Sequence, residues 1–549
     1  MKTIVIGGVA GGAGACARLR RNNENMQIIM LEKGEYISFA NCGLPYYIGD
    51  VITDKDKLQV QTVDGFAQRF NVEVRNFNEA INVDTALKRV LIRNTQTNEE
   101  YWESYDKLVL SPGAKPLVPP MQGVNLPHVF TLRNIPDTYA VKDYINSHQI
   151  KNAAVIGGGY IGIEMAENLH ELGCQVHVIE ANNQLVATMD KEVVSHLHNH
   201  MRTKNINLHL SSRLTAIEPD AVVLESGKRI LADIVIMSIG VVPDTAFLKT
   251  SGIQLSNRGE IIVDEYLQTN ITDVYAVGDA ITHKAFGADE FKNIALASPA
   301  NKQARIVADN VCGKSIKYDG AQGTAILKAF DLVLATTGLN EKTLIRMGVD
   351  YKKSYTYSAN HATYYPGAST MLIKLIYSPE GQVLGAQIVG ADGVDKRMDV
   401  LATAVRNNFH VTQLTDLELA YAPPFNSAKD PVNMAGYVAE NLLNGRSKFF
   451  YIEDIDTIQS NDIILDIRTE YEFSNGHLDN AINIPLNELR ENLHRLDTNK
   501  KIFICCAVGL RAYLAQRILK QHNFQNTYNL SGGFELYSVV AADEQAQQI

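Results

Sequence analysis

Apolar residues come in short β-branched blocks that end in glycine and lead into stretches with helical spacing. "KTIVIGGVAGGAGACARLRR" opens the chain this way: a strand over Thr3 to Ile6, a glycine turn, then an alanine-rich helix. "MQIIMLEKG" supplies the next strand. The same order returns in "NAAVIGGGYIGIEMAENLHELGCQVHVIEAN", with its second strand over Gln175 to Ile179. "YDKLVLSPGAKP" and "TNITDVYAVGDA" are strands that run into Ser111-Pro112-Gly113 and Gly278-Asp279. Near Tyr451 a new unit starts with "DIILDIRTEYEFSNGHLDNAINIP", followed by a buried strand over Ile502 to Cys505 and a helix in "KKIFICCAVGLRAYLAQRILK". Strands alternating with helices in this way predict α/β domains.

The glycine turns carry the first chemistry. A strand–glycine–helix unit aims a helix N-terminus at a pyrophosphate. In the first copy Gly7 and Gly12 take the outer positions of G-x-G-x-x-G, with Val9 in the middle, and the next strand ends in Glu32. In the second copy Gly157, Gly159 and Gly162 match in full, and Glu180 closes the strand about twenty residues on, placed for ribose hydroxyls. Glu180 repels a 2'-phosphate and no arginine follows it, which favours NADH, with NADPH as the alternative. Gly113 and the Gly278-Asp279 pair suit a bound flavin, Asp279 meeting a ribityl hydroxyl.

Cys42 sits in "SFANCGLPYY", and the position five residues on, where a second thiol would stand, is Tyr47. The chain has 549 residues, enough for three or four domains of ~150 residues each. Its formal charge of -10 argues against nucleic acid as a partner. Six scattered cysteines suggest reduced thiols in a cytosol. The apolar run after Met1 is too short for a signal sequence or a membrane span, so a soluble cytoplasmic protein is expected. No metal site is expected.

The order of these motifs over about residues 1 to 445 resembles the pyridine-nucleotide disulfide oxidoreductases. Within them it is most similar to the single-cysteine branch of coenzyme A-disulfide reductases. The resemblance implies two Rossmann-like domains, for FAD (1–112 and 241–320) and NAD(P)H (113–240), and an α+β dimerisation domain (321–446) that makes a homodimer. Dithiol members shuttle electrons through an internal disulfide, a route that Tyr47 closes. Two single-thiol chemistries remain: a sulfenic acid cycle, as in NADH peroxidases and oxidases, and a mixed disulfide with an external thiol. The peroxidase and oxidase relatives carry a histidine in the first glycine turn, where this chain has Ala10. Thiol exchange needs no such group, because a thiolate leaves readily.

Downstream, "NHATYYPGA" and "LAYAPPFNSAKDP" resemble the segments from which that family sends one tyrosine each across the dimer toward the cysteine. Tyr421 matches, and Tyr364 is the other choice, with Tyr365 as its alternative. A phenol there would lower the thiol's pKa. Arg18 and Arg21 share a helix face at i, i+3 spacing, and with Arg69 they could grip the phosphates of coenzyme A. The family binds coenzyme A in this region, which implies roles for Ser38 and Asn41 beside the thiol and for Asn301 in "SPANKQARI".

The segments "LDIRTEYEFSNGHL", "CAVGLR" and "NLSGGF" resemble an α/β rhodanese domain over about 450–549. Four residues separate Cys506 from Arg511, the ring size of sulfurtransferases, which suits a persulfide on Cys506. The preceding Cys505 is expected on the strand's other face. The expected activity is an NADH-dependent, FAD-containing reductase of coenzyme A persulfide, polysulfide and coenzyme A disulfide, with Cys506 carrying sulfane sulfur. The competing classes are an NADH oxidase or peroxidase and a redox-sensing flavoprotein.

Overall fold

The computed structural model describes residues 1–288 and 290–548. It divides into two compact units, one of Met1–Asn183 with Ile206–Gly323, the other of Gln184–Asn205 with Thr324–Ile549.

The first unit is built on two five-stranded parallel sheets. In one, Lys2–Ile6 lies at the centre between Gln27–Leu31 and Lys107–Leu110, with Glu73–Arg75 and Val274–Ala276 at the edges. Ile4, Val5, Ile29, Leu108 and Val109 are wholly buried, because a parallel sheet is covered on both faces and each strand is apolar on both. The helix Ala10–Asn22 packs against Ala297–Val311 where Gly14 meets Ala304; a Cβ at Gly14 would stand 3.1 Å from Ala304. The other sheet repeats the plan with Asn152–Ile156 at its centre, followed by the helix Tyr160–Glu171 and the strand Gln175–Ile179. Each sheet therefore presents a strand–glycine–helix turn at the C-terminal end of its central strand, where open α/β sheets hold their ligands.

The second unit contains an antiparallel sheet in the order Ala325–Ala329, Leu332–Gly338, Val383–Gly390, Thr370–Tyr377 and Lys352–Ala359. The helices Val394–Arg406 and Pro431–Leu443 cover it. A five-stranded parallel sheet follows, ordered Phe449–Phe450, Thr527–Leu530, Ile502–Cys505, Ile463–Asp466 and Ile482–Asn483. The last helix, Gly533–Gln548, packs on Lys191–Thr203, whose Val193, Val194, Leu197 and Met201 are buried. Among the described residues no helix is long and apolar enough to cross a membrane.

Candidate functional site

The two glycine turns share one geometry. Gly7 has φ +99° and Gly157 φ +107°, conformations an L side chain rarely adopts. A Cβ at Gly12 would stand 1.7 Å from the Gly7 carbonyl oxygen, and one at Gly162 2.0 Å from that of Gly157, so both helices start against their turns. The terminal acids also match. Glu32 accepts from Gly8 N–H and Gly34 N–H at 2.9 Å each, and Glu180 accepts from Gly158 N–H at 2.7 Å and from Asn182 N–H at 2.8 Å. The Asn182 side-chain amide adds a further bond to Glu180 at 2.7 Å, which the spacing did not reveal.

Open space borders both turns. Gly7, Glu32, Lys33, Asn78, Pro112 and Asp244 border a cavity of about 420 Å³. A Cβ at Gly159 would meet nothing within 4 Å, so the chain leaves open the approach that the middle glycine provides. Gly113 and Gly278 both have positive φ, and Gly278 N–H donates to Gln303 Oε1 at 2.8 Å. Asp279 pairs with Arg133 at 3.3 Å, a partner far away in sequence and missed for that reason.

Cys42 stands in the short turn Asn41–Gly43 and is exposed, directly before the helix Leu44–Ile48. That helix lies against Tyr160–Glu171, and a Cβ at Gly49 would overlap Asn168. The packing brings Glu164, which sequence reasoning also missed, into the electrostatic range of the thiol. Desolvation is the larger cause that pushes the Cys42 thiol up, and the Glu164 and Asp279 carboxylates push it further. Glu164 itself is pushed up to about 7, by burial first and by Glu167 second. Tyr47, in the place of a second thiol, sets its ring edge-on against Tyr139 with centroids 5.9 Å apart. Ser38 holds φ +45° and its N–H donates to Gly8 O at 2.8 Å, which ties the Cys42 segment to the first glycine turn. The Asn41 side-chain oxygen is buried and has no hydrogen-bond partner among the described residues, a vacant acceptor beside the thiol.

The arginines separate. Arg18 forms a forked pair with Asp309 at 2.9 and 3.0 Å, so most of its guanidinium is committed within the protein. Arg21 and Arg69 are exposed. Asn301 is exposed, and its amide donates to Ala297 O one turn back on its own helix.

In the second unit the phenol oxygens of Tyr364 and Tyr421 are 2.9 Å apart, and both side chains are exposed. Tyr365 instead sets its ring against His361, so the geometry pairs Tyr364 with Tyr421. Cys506 is 1 % exposed, and Gly509 N–H points at its sulfur from 3.1 Å. Gly509 has φ +102°, the conformation that turns this amide inward. Arg511 does not face the sulfur with a free fork: it donates to both oxygens of Glu472, at 2.8 and 2.5 Å, and holds that carboxyl down at about 2. Cys505 lies on the other side of the strand, among Phe450, Leu478 and Leu530, its thiol pushed well up by burial. Cys506 packs instead with Ile504, Ala512 and Ala515.

Residues 1–304 match the model described as pyridine nucleotide-disulphide oxidoreductase. The chain belongs to the pyridine nucleotide-disulphide oxidoreductase family. Residues 324–431 match that family's dimerisation domain, and residues 453–539 match a rhodanese-like domain. The family uses FAD and NAD(P)H. Among solved structures, the reduced Bacillus anthracis CoADR-RHD is 46% identical with a TM-score of 0.97, covering 99% of this chain and 98% of the other. The NAD-dependent persulfide reductase from A. fulgidus is 34% identical with a TM-score of 0.92, covering 98% and 100%. A coenzyme A disulfide reductase of Staphylococcus haemolyticus is 35% identical over 443 residues, 80% of this chain and all of the relative. This family member therefore joins a flavin-dependent nicotinamide oxidoreductase to a rhodanese domain in one polypeptide.

Proposed function

We propose that the enzyme is a cytoplasmic homodimer that reduces coenzyme A persulfide, polysulfide and coenzyme A disulfide at the expense of NADH, releasing sulfide or coenzyme A. The observation that carries this reading is the pairing of a lone exposed thiol, Cys42, with a rhodanese loop on the same chain. Relatives bearing coenzyme A disulfide reductase and persulfide reductase names support it.

Bound FAD and NADH supply two electrons per turnover, and the chain supplies the thiol, its surroundings and the sulfur carrier. Cys42 thiolate attacks the coenzyme A sulfur of the persulfide. The S–S bond breaks, hydrosulfide leaves, and a Cys42–coenzyme A mixed disulfide forms; with the disulfide as substrate the leaving group is coenzyme A. Two electrons then return both sulfurs to thiolates. The environment within one chain disfavours the Cys42 thiolate, so a hydrogen-bond donor is needed, and the exposed Tyr364–Tyr421 pair of the partner subunit is suited to provide it. Arg21, Arg69, Ser38, Asn41 and Asn301 would bind coenzyme A, with Asn41 offering its vacant oxygen, and Arg18 would join them only by releasing Asp309. Glu180 would select NADH over NADPH. On the tail, Cys506 would hold sulfane sulfur, Gly509 N–H would stabilise it, and Arg511 would keep the loop in shape through Glu472.

Intact mass spectrometry of the purified enzyme, with NADH-linked sulfide release in parallel, tests the reading. A coenzyme A adduct on Cys42, and loss of substrate turnover in Cys42→Ser with flavin bleaching by NADH preserved, are expected. Rapid peroxide or oxygen consumption without coenzyme A would instead make the enzyme an oxidase or peroxidase.

A further inference from the structure

Arg397, on the helix Val394–Arg406, is 1 % exposed and uses every arm of its guanidinium. Its Nε donates to Asp430 Oδ2 at 3.1 Å and its Nη1 to Gly393 O at 3.2 Å. Its Nη2 donates to Asn360 O at 2.7 Å and to Asn426 Oδ1 at 2.9 Å. These last two acceptors lie on different turns. Asn360 begins the turn that carries Tyr364, and Asn426 ends the turn that carries Tyr421. Asn426 is wholly buried, and its amide donates back to Ala420 O at 3.1 Å, next to Tyr421. Ala362 N–H donates to Asn426 O at 3.1 Å and joins the two turns directly. Asp430 caps the helix Pro431–Leu443 by accepting from Val432 N–H at 2.8 Å, so the guanidinium is anchored to a rigid element.

We propose that Arg397 is a positioning residue that sets the spacing of the two tyrosine-bearing turns and so preforms the Tyr364–Tyr421 pair. The inference rests on the reading that these phenols serve the Cys42 thiol. Both tyrosines are exposed, so the 2.9 Å approach of their phenols depends on how the bases of the turns are held. A planar fork can bridge a carboxylate, two turns and its own helix start at once. A lysine can neutralise Asp430 but has no fixed fork with which to hold the turns in register.

The test is a double-mutant cycle in the full-length holoenzyme between Arg397→Lys and Tyr421→Phe. It is read as kcat and KM for coenzyme A disulfide and as the pH profile of alkylation on the Cys42 peptide. NADH bleaching of the flavin and thiosulfate sulfur transfer report that each variant is folded. Arg397→Lys is expected to lower kcat about tenfold to a hundredfold, the scale of a misplaced catalytic group. It should also move the thiol profile to higher pH, as Tyr421→Phe does. The double variant should be within about twofold of the worse single, because the arginine acts only through the phenol pair. Should Arg397→Lys fail to fold, Asn426→Ala removes one tie and takes its place in the cycle. Multiplying losses, or an unchanged thiol profile with the phenols intact, would overturn the positioning role. A Tyr421→Phe enzyme of wild-type rate and thiol profile would overturn the functional reading itself, and the positioning role with it.

Discussion

The phenol oxygens of Tyr364 and Tyr421 share a hydrogen bond of 2.9 Å. Either oxygen can be the donor, and the phenol that accepts keeps its own O–H free to donate outward. The two tyrosines are therefore not equivalent. With Tyr421 as the outward donor, Tyr421→Phe removes that donor, whereas Tyr364→Phe removes only the neighbour that polarises it. Steady-state reduction of coenzyme A disulfide should fall about a hundredfold in the first and only a few-fold in the second. The reverse order would show that the donor and acceptor are exchanged, and equal losses that neither phenol acts alone.

Glu164 bears on the same thiol from the helix of the second glycine turn. Its carboxyl is pushed up to about 7, so it ionises across neutral pH, and its negative charge then pushes Cys42 up. The sign for stability follows: the folded protein binds this proton more tightly than the unfolded chain, so Glu164 withdraws stability as pH rises from about 4.3 to about 7. Glu164→Gln removes both effects. Alkylation of Cys42 at neutral pH should become faster, and the loss of stability between mildly acid and neutral pH should shrink. A slower or unchanged alkylation rate would show that the carboxylate does not act on the sulfur.

What the linear chain revealed was local. A glycine turn between a strand and a helix is specified by a dozen neighbouring residues, so Gly7, Gly12, Gly157, Gly162 and their acids were legible. Spacing alone also put Cys505 and Cys506 on opposite faces, because strand side chains alternate. The missed features depend on tertiary packing. Asp309 meets Arg18 across 291 positions, and nothing near Arg18 distinguishes a phosphate ligand from half of an ion pair. Arg133 at Asp279, Glu472 at Arg511 and Arg397 beneath the tyrosines were hidden for the same reason. The helix Lys191–Thr203 follows the second fingerprint in sequence, yet it is grouped with residues 324–549, because its buried face and its bonds are made there.

Those bonds converge on Asp543, which is wholly buried on the last helix. Ser195 Oγ donates to it at 2.9 Å and Arg202 Nη1 at 2.8 Å. His198 Nε2 accepts from Leu185 N–H at 3.0 Å, so Nδ1 carries the proton that it donates to Asp543 at 2.8 Å. Burial alone would push this carboxyl up, but the bonds from His198 and Arg202 hold it well below the usual range. Its stabilisation is therefore present above the unfolded value of about 4 and is lost as pH falls below it. Asp543→Asn should destabilise the unit by roughly 3 kcal/mol at neutral pH, since the buried charge that pairs with His198 and Arg202 is removed. Calorimetry should show that deficit narrowing in acid. A deficit independent of pH would mean that packing, rather than charge, is what the aspartate contributes.

Cys506→Ser separates the two halves of the chemistry. Reduction of coenzyme A disulfide needs Cys42 and the cofactors only, so it should survive nearly intact. Sulfur transfer from thiosulfate needs a thiolate in the loop where Gly509 N–H faces the sulfur, so it should vanish. Cys505 cannot substitute, because its thiol is on the far side of the strand and held protonated by burial. Reduction of polymeric sulfur should fall as well, because in the proposed cycle Cys506 carries its sulfane sulfur, whereas coenzyme A persulfide arrives already mounted on the recognised thiol. The measurement is an NADH assay with sulfide release followed in parallel across disulfide, persulfide and polymeric donors. Equal loss on all three would place Cys506 inside the reductase cycle. No loss on any would make the rhodanese domain an independent enzyme that shares only the chain.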